Sequence, residues 1–245
     1  MDLPLASVAA TGLIVALAYT VFGLTGFGSS ITAVPLLVHI IPLRVAVPMM
    51  LIFDLCAALL LGLEGRRAAD RKELRRMLPF MLAGMALGVT LLVKAPERAL
   101  LLVLGVFVLA YSAWSLVFNR GAKPIASGWA MPLGTAGGVF TALFGTGGPI
   151  YTIYLARRLE DKAALRATIS TLIFLSALAR LVLFAGAGLY GQDGVLWLAA
   201  WLLPCALAGL YLGSRLHRRL PAQRVVQLVW TVLIAGGASL VWRNV

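Results

Sequence analysis

Long apolar stretches alternate with short charged loops along the whole chain. Each apolar stretch is near the roughly 20 residues that a helix needs to cross about 30 Å of hydrocarbon. Lipid offers no partner for backbone N–H and C=O groups, and the stretches lack the alternation of a membrane barrel, so we expect helices. The pattern predicts an all-α integral membrane protein. The clearest stretches are Leu5–Phe22, Val45–Leu63, Ala99–Phe118, Ile169–Leu189 and Val225–Trp242.

Composition excludes an ordinary water-soluble domain, because 61% of the residues are hydrophobic, only 12% are charged and the mean hydropathy is +0.96. The formal charge of +12 lies in short loops, so we attribute it to membrane topology and expect no nucleic-acid partner. Cys56 and Cys205 lie in apolar segments, where packing is the expected role. We expect no disulfide, metal site or cofactor. No Lys or Arg precedes Arg44, so the first segment is expected to be retained and not cleaved as a signal peptide.

An internal repeat relates the two halves of the chain, residues 1–118 and 119–245. PFMLAGMALGVTLLVKAP at Pro79–Pro96 and PCALAGLYLGSRLHRRLP at Pro204–Pro221 are identical at eight of 18 positions. Upstream, PLRVAVPMMLIF parallels ALRATISTLIFL, and TGFGSS parallels FGTGGP. The repeated segment contains a G-x-x-x-G pair, at Gly84–Gly88 and again at Gly209–Gly213. Such pairs allow close helix contact, which we assign either to packing within each half or to a homodimer.

Loop charge indicates that the two halves have opposite orientations. Glu64–Met77 carries six Lys and Arg residues while its counterpart Tyr190–Gly194 carries none; Lys94–Arg98 carries two while Ser214–Arg224 carries four. Because Lys and Arg accumulate on the cytoplasmic side, equivalent loops face opposite sides. The halves are therefore predicted to be inverted repeats, which are typical of secondary transporters. The loops expected in the cytoplasm are 64–77, 119–128, 157–166 and 214–224.

Inversion requires an odd number of crossings in each half. Three long helices of the first half, at about 43–63, 77–93 and 99–118, already supply them. We therefore predict that Leu5–Ile41 and Trp129–Tyr154 are each a broken or re-entrant helical hairpin with a glycine tip near the middle of the membrane. In the alternative interpretation the glycines only relieve helix packing and the segments cross fully.

Each glycine tip is predicted to place a helix N-terminus in the membrane interior. Ser29 or Ser30 is expected at an N-cap position, and Pro149 in a first helical turn. Helix N-termini attract anions through free N–H groups and the helix dipole. The predicted substrate-binding residues of the tips are Thr25, Gly26, Gly28, Ser29, Ser30, Gly145, Thr146, Gly147 and Gly148.

Four ionisable residues are further candidates. Asp54 is the only acid within an apolar stretch, and it is expected either to carry a coupling proton or to form an ion pair with Arg180. Arg180 is expected either to balance a bound anion or to reach the outer interface. Arg44 and Arg166 hold matching positions before a helix in the two halves, which fits either anion capture or topology.

The glycine elements also carry a family resemblance. GLTGFGSSITAVPLL with PLRVAV, repeated as LFGTGGPIYTIYL with ALRATIS, resembles the sulfite exporter TauE/SafE family over almost the whole chain. The resemblance implies a multi-pass permease of the bacterial inner membrane for sulfite, sulfoacetate and related small anions.

We expect a secondary transporter that exports such an anion by alternating access, with the anion held between opposed helix N-termini. The alternatives are a permease for another small organic anion, such as a carboxylate, and a membrane assembly protein. Enzyme activity is not expected, because Ser29 and Ser30 lack a credible base. A cation substrate fits less well, since Asp54 is the only carboxylate available.

Overall fold

The computed structural model describes residues 4–25, 28–60, 68–117, 124–191, 194–216 and 234–243. This part of the chain is all-helical, without any strand, as the hydrophobic pattern predicts. Two short 3₁₀ turns lie at Ser127–Trp129 and Leu189–Gly191. The helices are α1 (Leu5–Thr25), α2 (Ser29–Leu37), α3 (Leu43–Leu60), α4 (Arg71–Lys94), α5 (Glu97–Val117), α6 (Ala130–Phe144), α7 (Gly148–Leu155), α8 (Lys162–Gly186), α9 (Val195–Leu216) and α10 (234–243).

Several of these helices match the predicted membrane crossings. Within the described ranges, α3, α4, α8 and α9 are long and apolar enough to cross a membrane, and so is α1, which was predicted to be one arm of a hairpin and not a crossing. The stretch Val225–Trp242 is helical from residue 234, and its first nine residues lie outside the described part. The predicted short arms of the two hairpins are present as α2, of nine residues, and α7, of eight.

Two helices begin earlier than the apolar pattern predicts. The predicted loops 64–77 and 157–166 are helical from Arg71 and Lys162 onward. The reason is capping, because the carboxylate of Asp70 accepts hydrogen bonds from the amides of Lys72 and Glu73, and Asp161 does the same for α8. Charged first turns therefore extend both helices beyond their apolar segments.

The repeated G-x-x-x-G pairs pack between the two halves of the chain. A Cβ on Gly84 would collide with the carbonyl oxygen of Thr135 on α6, and a Cβ on Gly209 would collide with that of Ala16 on α1. Contacts advance in the same direction along both helices of each pair, so α4 runs parallel to α6 and α9 runs parallel to α1. The expectation that these glycines pack within each half is thus wrong, since their partners belong to the other half.

The loops gather at two ends of the helix bundle. At one end, the amide of Asp70 donates to Thr168 and the guanidinium of Arg158 donates to the carbonyl of Ile125. At the other end, Glu97 accepts a hydrogen bond from the amide of Leu43. The described residues of three loops predicted to share the cytoplasm, 64–77, 119–128 and 157–166, therefore meet at one end, while loop 214–224 lies mostly outside the described residues.

The short helix α2 lies inside the bundle. Eight of its nine residues are buried, and it packs on α1, α3, α5 and α6. A helix break at membrane depth leaves backbone groups without intrahelical partners, which is tolerated only where protein or a cavity surrounds them. The burial of α2 explains how the chain can break next to it.

Candidate functional site

The first glycine element breaks the chain between α1 and α2. Gly28 adopts a left-handed conformation with φ of 95°, which favours glycine over any residue with a side chain. It is also the N-cap of α2, so the expectation of a serine N-cap is wrong. Thr25 is the last residue of α1, and Gly26 lies outside the described residues.

The second glycine element breaks the chain between α6 and α7. Gly145, with φ of 71°, ends α6, and its amide donates to the carbonyl of Thr141 at 2.9 Å. Pro149 lies in the first turn of α7, as predicted. A Cβ on Gly147 would collide with the hydroxyl of Thr141, so glycine is required there by space.

The two glycine elements touch each other beside Arg180. A Cβ on Gly145 would lie 2.5 Å from Ser30 Oγ and 3.2 Å from Arg180 Nη1. Arg180 comes from the C-terminal half of α8 and is only 3% exposed. The structure thus brings together the start of α2, the link between α6 and α7, and one buried guanidinium. We call these residues, together with Asp54, the central cluster.

Asp54 is the negative member of the central cluster. Its carboxylate accepts hydrogen bonds at 2.7 Å from the hydroxyls of Tyr19 and Ser29, and one at 3.3 Å from Ser30. Arg180 Nη2 lies 3.7 Å from Asp54 Oδ2, so the ion pair that was one alternative for these two residues is present. The serine hydroxyls therefore bind the carboxylate and not the backbone of α2.

Other polar atoms of the cluster have no hydrogen-bond partner within the part of the chain that the structure describes. Thr146 Oγ1 and Arg180 Nε are buried without a hydrogen bond among the described residues. Leaving a buried polar atom unpaired costs about 1–3 kcal/mol. The hydroxyl of Tyr190, on the turn after α8, is also buried and has no partner in the described ranges. Burial raises the pKa of Tyr190 to about 12, which keeps it a neutral donor. The centre therefore has unused hydrogen-bonding capacity.

Arg44 and Arg166 lie away from the central cluster. Arg44 donates from Nε and Nη2 to the carbonyls of Leu92 and Ala95 at the end of α4. At 1.5 Å per residue, Arg44 is about 15 Å along α3 from Asp54, and Arg166 is about 21 Å along α8 from Arg180. Arg166 is exposed. We therefore correct the proposed grouping of these two arginines with the glycine elements.

A second buried network, missed from the sequence, joins the two halves near loop 157–166. Glu73 is 3% exposed, and its carboxylate receives Arg76 at 2.8 Å, Arg158 at 3.0 Å and the hydroxyl of Tyr154 at 2.7 Å. The hydrogen bond with Glu73 raises the pKa of Arg158, which keeps the guanidinium charged. The available sequence signal is the spacing Asp70-x-x-Glu73, typical of a capped helix start. This network ties α4 to α7 at one end of the bundle.

A pocket of about 690 Å³ opens at the opposite end, between the turn after α2, the start of α5 and α10. Its polar lining includes His39, Glu97, Arg98 and Arg243, and it contains no residue of the central cluster. Burial and the nearby positive charge of Arg243 lower the pKa of His39, which favours its neutral form.

Comparison with known proteins gives a family match over most of the chain. A family model described as sulfite exporter TauE/SafE matches residues 11–240. The chain is also similar to a protein of Comamonas testosteroni named probable inner membrane transporter protein TsaS, with 29% identity over 201 residues that cover 80% of this chain and 83% of that protein. No solved structure gives a significant match.

Proposed function

Because the chain belongs to the sulfite exporter TauE/SafE family and is a multi-pass inner-membrane transporter, we propose that it exports a small sulfur-containing anion such as sulfite or sulfoacetate. The observation that carries the proposal is the contact of Ser30, Gly145 and Arg180. There two interrupted helices and a buried guanidinium meet inside the bundle.

The central cluster suits an anion in both charge and hydrogen bonding. The first backbone N–H groups of α2 and α7 have no intrahelical partners, and the N-terminal ends of both helices are positively polarised. Arg180 adds a full positive charge, and its fork of N–H donors matches oxyanions. Among the residues predicted to bind substrate, Gly28, Ser29, Ser30 and Gly145–Gly148 belong to this proposal, and Thr25 and Gly26 stay predictions.

We propose alternating access between two inverted repeats, residues 1–118 and 119–245. The repeated sequence makes α4 equivalent to α9, and the glycine elements make α1 equivalent to α6. The contact of α4 with α6 and the contact of α9 with α1 are then the same contact made twice. Such symmetry supports an arrangement in which either side of the cluster can open. A homodimer stays a prediction.

Asp54 and Arg180 are the proposed coupling residues. With one positive and one negative side chain, the cluster is neutral before the anion arrives. Because an unpaired charge is costly in a buried site, binding a singly charged anion favours uptake of a proton by Asp54. Export of a multiply charged anion is in addition favoured by an inside-negative potential, at about 2.3 kcal/mol per charge per 100 mV.

Flux measurements in proteoliposomes test the function. Vesicles containing the purified protein and loaded with sulfite or sulfoacetate are expected to release the anion faster than protein-free vesicles. Gly28→Leu and Gly147→Leu are expected to lose flux, because the first position has a positive φ and the second has no space. Gly186→Leu is the control, since nothing lies within 4 Å of a Cβ there. Unchanged flux in both tip variants rejects the cluster as the transport site.

Competition separates the alternative functions. A permease for carboxylates would release acetate or succinate in preference to sulfite and sulfoacetate. A membrane assembly protein would show neither flux nor any change of melting temperature with these anions.

A further inference from the structure

The two glycine elements differ in whether a carboxylate of the protein lies beside the N-terminus of the helix that follows them. At the first element, the hydroxyls of Ser29 and Ser30 donate to the carboxylate of Asp54, and Tyr19 donates to the same group. The N-terminus of α2 therefore already has a negative charge beside it. The carboxylate of Asp54 therefore occupies the position at which an anion would otherwise bind.

The second element has no such carboxylate in the described structure. When PLRVAVPMMLIF is aligned with ALRATISTLIFL and the alignment is extended by one residue, the position of Asp54 is held by Ser176. The hydroxyl of Ser176 donates to the carbonyl of Ile173 on its own helix and is thereby satisfied. The internal counter-charge is thus built into only one of the two repeats.

Unpartnered polar atoms lie at this second element. Thr146, in the link between α6 and α7, is 1% exposed, and its Oγ1 has no partner within the described ranges. Arg180, whose Nη1 lies beside Gly145, has a buried and unpartnered Nε. Thr146 directly precedes Gly147, the N-cap of α7, and Arg180 lies beside Gly145, so both donors belong to residues at the link that leads into α7.

We propose that the transported anion binds at the second glycine element alone, on Thr146 Oγ1, Arg180 Nε and the first N–H groups of α7, to which Pro149 contributes none. Asp54 stays at the first element as its permanent ligand. The site takes a small oxyanion, such as a sulfonate or sulfite group, whose several oxygens can accept from donors in different directions. This inference rests on the proposed function and narrows it, because only residues of the second element would contact the anion, while Ser29 and Ser30 of the first element hold Asp54.

Thr146→Val is the primary test, because valine keeps the shape of threonine and removes only the hydroxyl. Since Thr146 Oγ1 has no partner among the described residues, the variant is expected to fold with an unchanged or higher melting temperature. Its affinity for sulfoacetate, measured by titration calorimetry on the purified full-length protein, is expected to fall about tenfold or more, as for loss of a hydrogen bond to a charged group. Arg180→Lys keeps the charge, removes Nε and is expected to weaken binding as well.

Two further variants sharpen the test. Thr32→Val is the matched control, because Thr32 is buried on α2 and its hydroxyl donates to the carbonyl of Gly28; its affinity is expected to equal that of the unmodified protein. Ser29→Ala removes a donor of Asp54 and is expected to change anion affinity less than Thr146→Val does.

The outcomes separate this inference from the proposed function. If the unmodified protein binds sulfoacetate, and Thr146→Val binds it equally well or Ser29→Ala causes the larger loss, the second-element site is wrong and the function stands. If the unmodified protein binds neither sulfoacetate nor sulfite, the proposed function fails and this inference fails with it.

Discussion

At the scale of single residues, the central cluster depends on one carboxylate, which accepts hydrogen bonds, and one guanidinium, which lies beside it as a donor. Asp54 takes the donors of the first glycine element, while Arg180 reaches from Asp54 toward the second. The contact between the two charges is long, at 3.7 Å, and Arg180 keeps an unpartnered Nε. Arg180 can therefore bind a second negative group without first losing a tight ion pair.

Asp54→Asn tests whether Asp54 takes up a proton when the cluster binds an anion. Among the described residues, Tyr19 and Arg180 are the titratable groups that face Asp54. Tyr151 and Tyr190 interact with Arg180, while the titratable Tyr211 and Arg215 of α9 are exposed. The unmodified protein is expected to take up about one proton per singly charged anion, so that binding weakens as the pH rises. The variant should bind the anion more tightly at neutral pH and take up no proton.

The measurement is calorimetry in buffers of different ionisation enthalpy, from which the number of protons taken up is obtained. Glu97→Gln is the matched control, because Glu97 is a carboxylate at the end of the bundle that caps α3 through the amide of Leu43. Equal proton uptake by Asp54→Asn and the unmodified protein would show that the proton binds elsewhere.

Arg44→Ala tests whether Arg44 stabilises the end of α4 or takes part in transport. Loss of two charge-assisted hydrogen bonds to the end of α4 is expected to lower stability by about 1–3 kcal/mol and to leave flux per folded molecule unchanged. Arg166→Ala, at the equivalent but exposed position, should alter the melting temperature little. A loss of flux in Arg44→Ala that the amount of folded protein does not explain would return Arg44 to the transport site.

Sequence reasoning found part of this chemistry and missed part for identifiable reasons. Asp54 and Arg180 stood out because an ionisable residue inside an apolar stretch is costly. Glu73 did not, since it lies in a stretch dense with Arg and Lys, and only the fold reveals its burial. Thr146 was one of nine candidates from the glycine elements. Thr146 stands out because its hydroxyl has no hydrogen-bond partner among the described residues. No local sequence pattern can reveal that.

At the scale of helices, glycine fixes both where the chain breaks and where helices approach closely. Gly28 and Gly145 have left-handed backbones at the breaks, whereas Gly84 and Gly209 lie in helices whose partners nearly touch their Cα atoms. The break positions were predictable, because clustered glycine followed by a short apolar run is a local signal. The partners of Gly84 and Gly209 were not predictable, because those contacts are distant in sequence.

Gly84→Ala and Gly209→Ala measure the contact between the halves. Alanine normally stabilises a helix by up to about 1 kcal/mol relative to glycine, yet a Cβ at these positions meets a backbone carbonyl that has no room to move. We expect each variant to lose about 1–3 kcal/mol, as in overpacked cores. A fall in the melting temperature of the purified protein would show the loss.

Gly186→Ala is the control for this pair, because it lies at the end of α8, where an added methyl group meets only open space. Its melting temperature should stay the same or rise. Unchanged melting temperatures for Gly84→Ala and Gly209→Ala would contradict the close parallel packing of α4 on α6 and α9 on α1.

At the scale of the whole molecule, the two halves are interleaved and not side by side. α4 of the first half lies on α6 of the second, and α9 of the second lies on α1 of the first. The Glu73 network adds a further link near one end, through Tyr154 and Arg158. Motion between the halves would therefore have to separate specific polar contacts at that end, while the glycine-lined helix pairs could move as units.

Cysteine labelling tests the inverted topology that this arrangement supports. Lys94 ends α4 and Arg215 lies in the last turn of the equivalent α9, and both are exposed. In a background with Cys56 and Cys205 replaced by serine, we expect a thiol reagent that cannot cross the membrane to label Lys94→Cys in intact cells. Arg215→Cys should react only after the cells are permeabilised, as should Ser127→Cys in loop 119–128. Because equivalent helix ends must face opposite sides in inverted repeats, labelling of Lys94→Cys and Arg215→Cys from the same side would rule out the inversion and, with it, the symmetric two-sided access proposed for the central cluster.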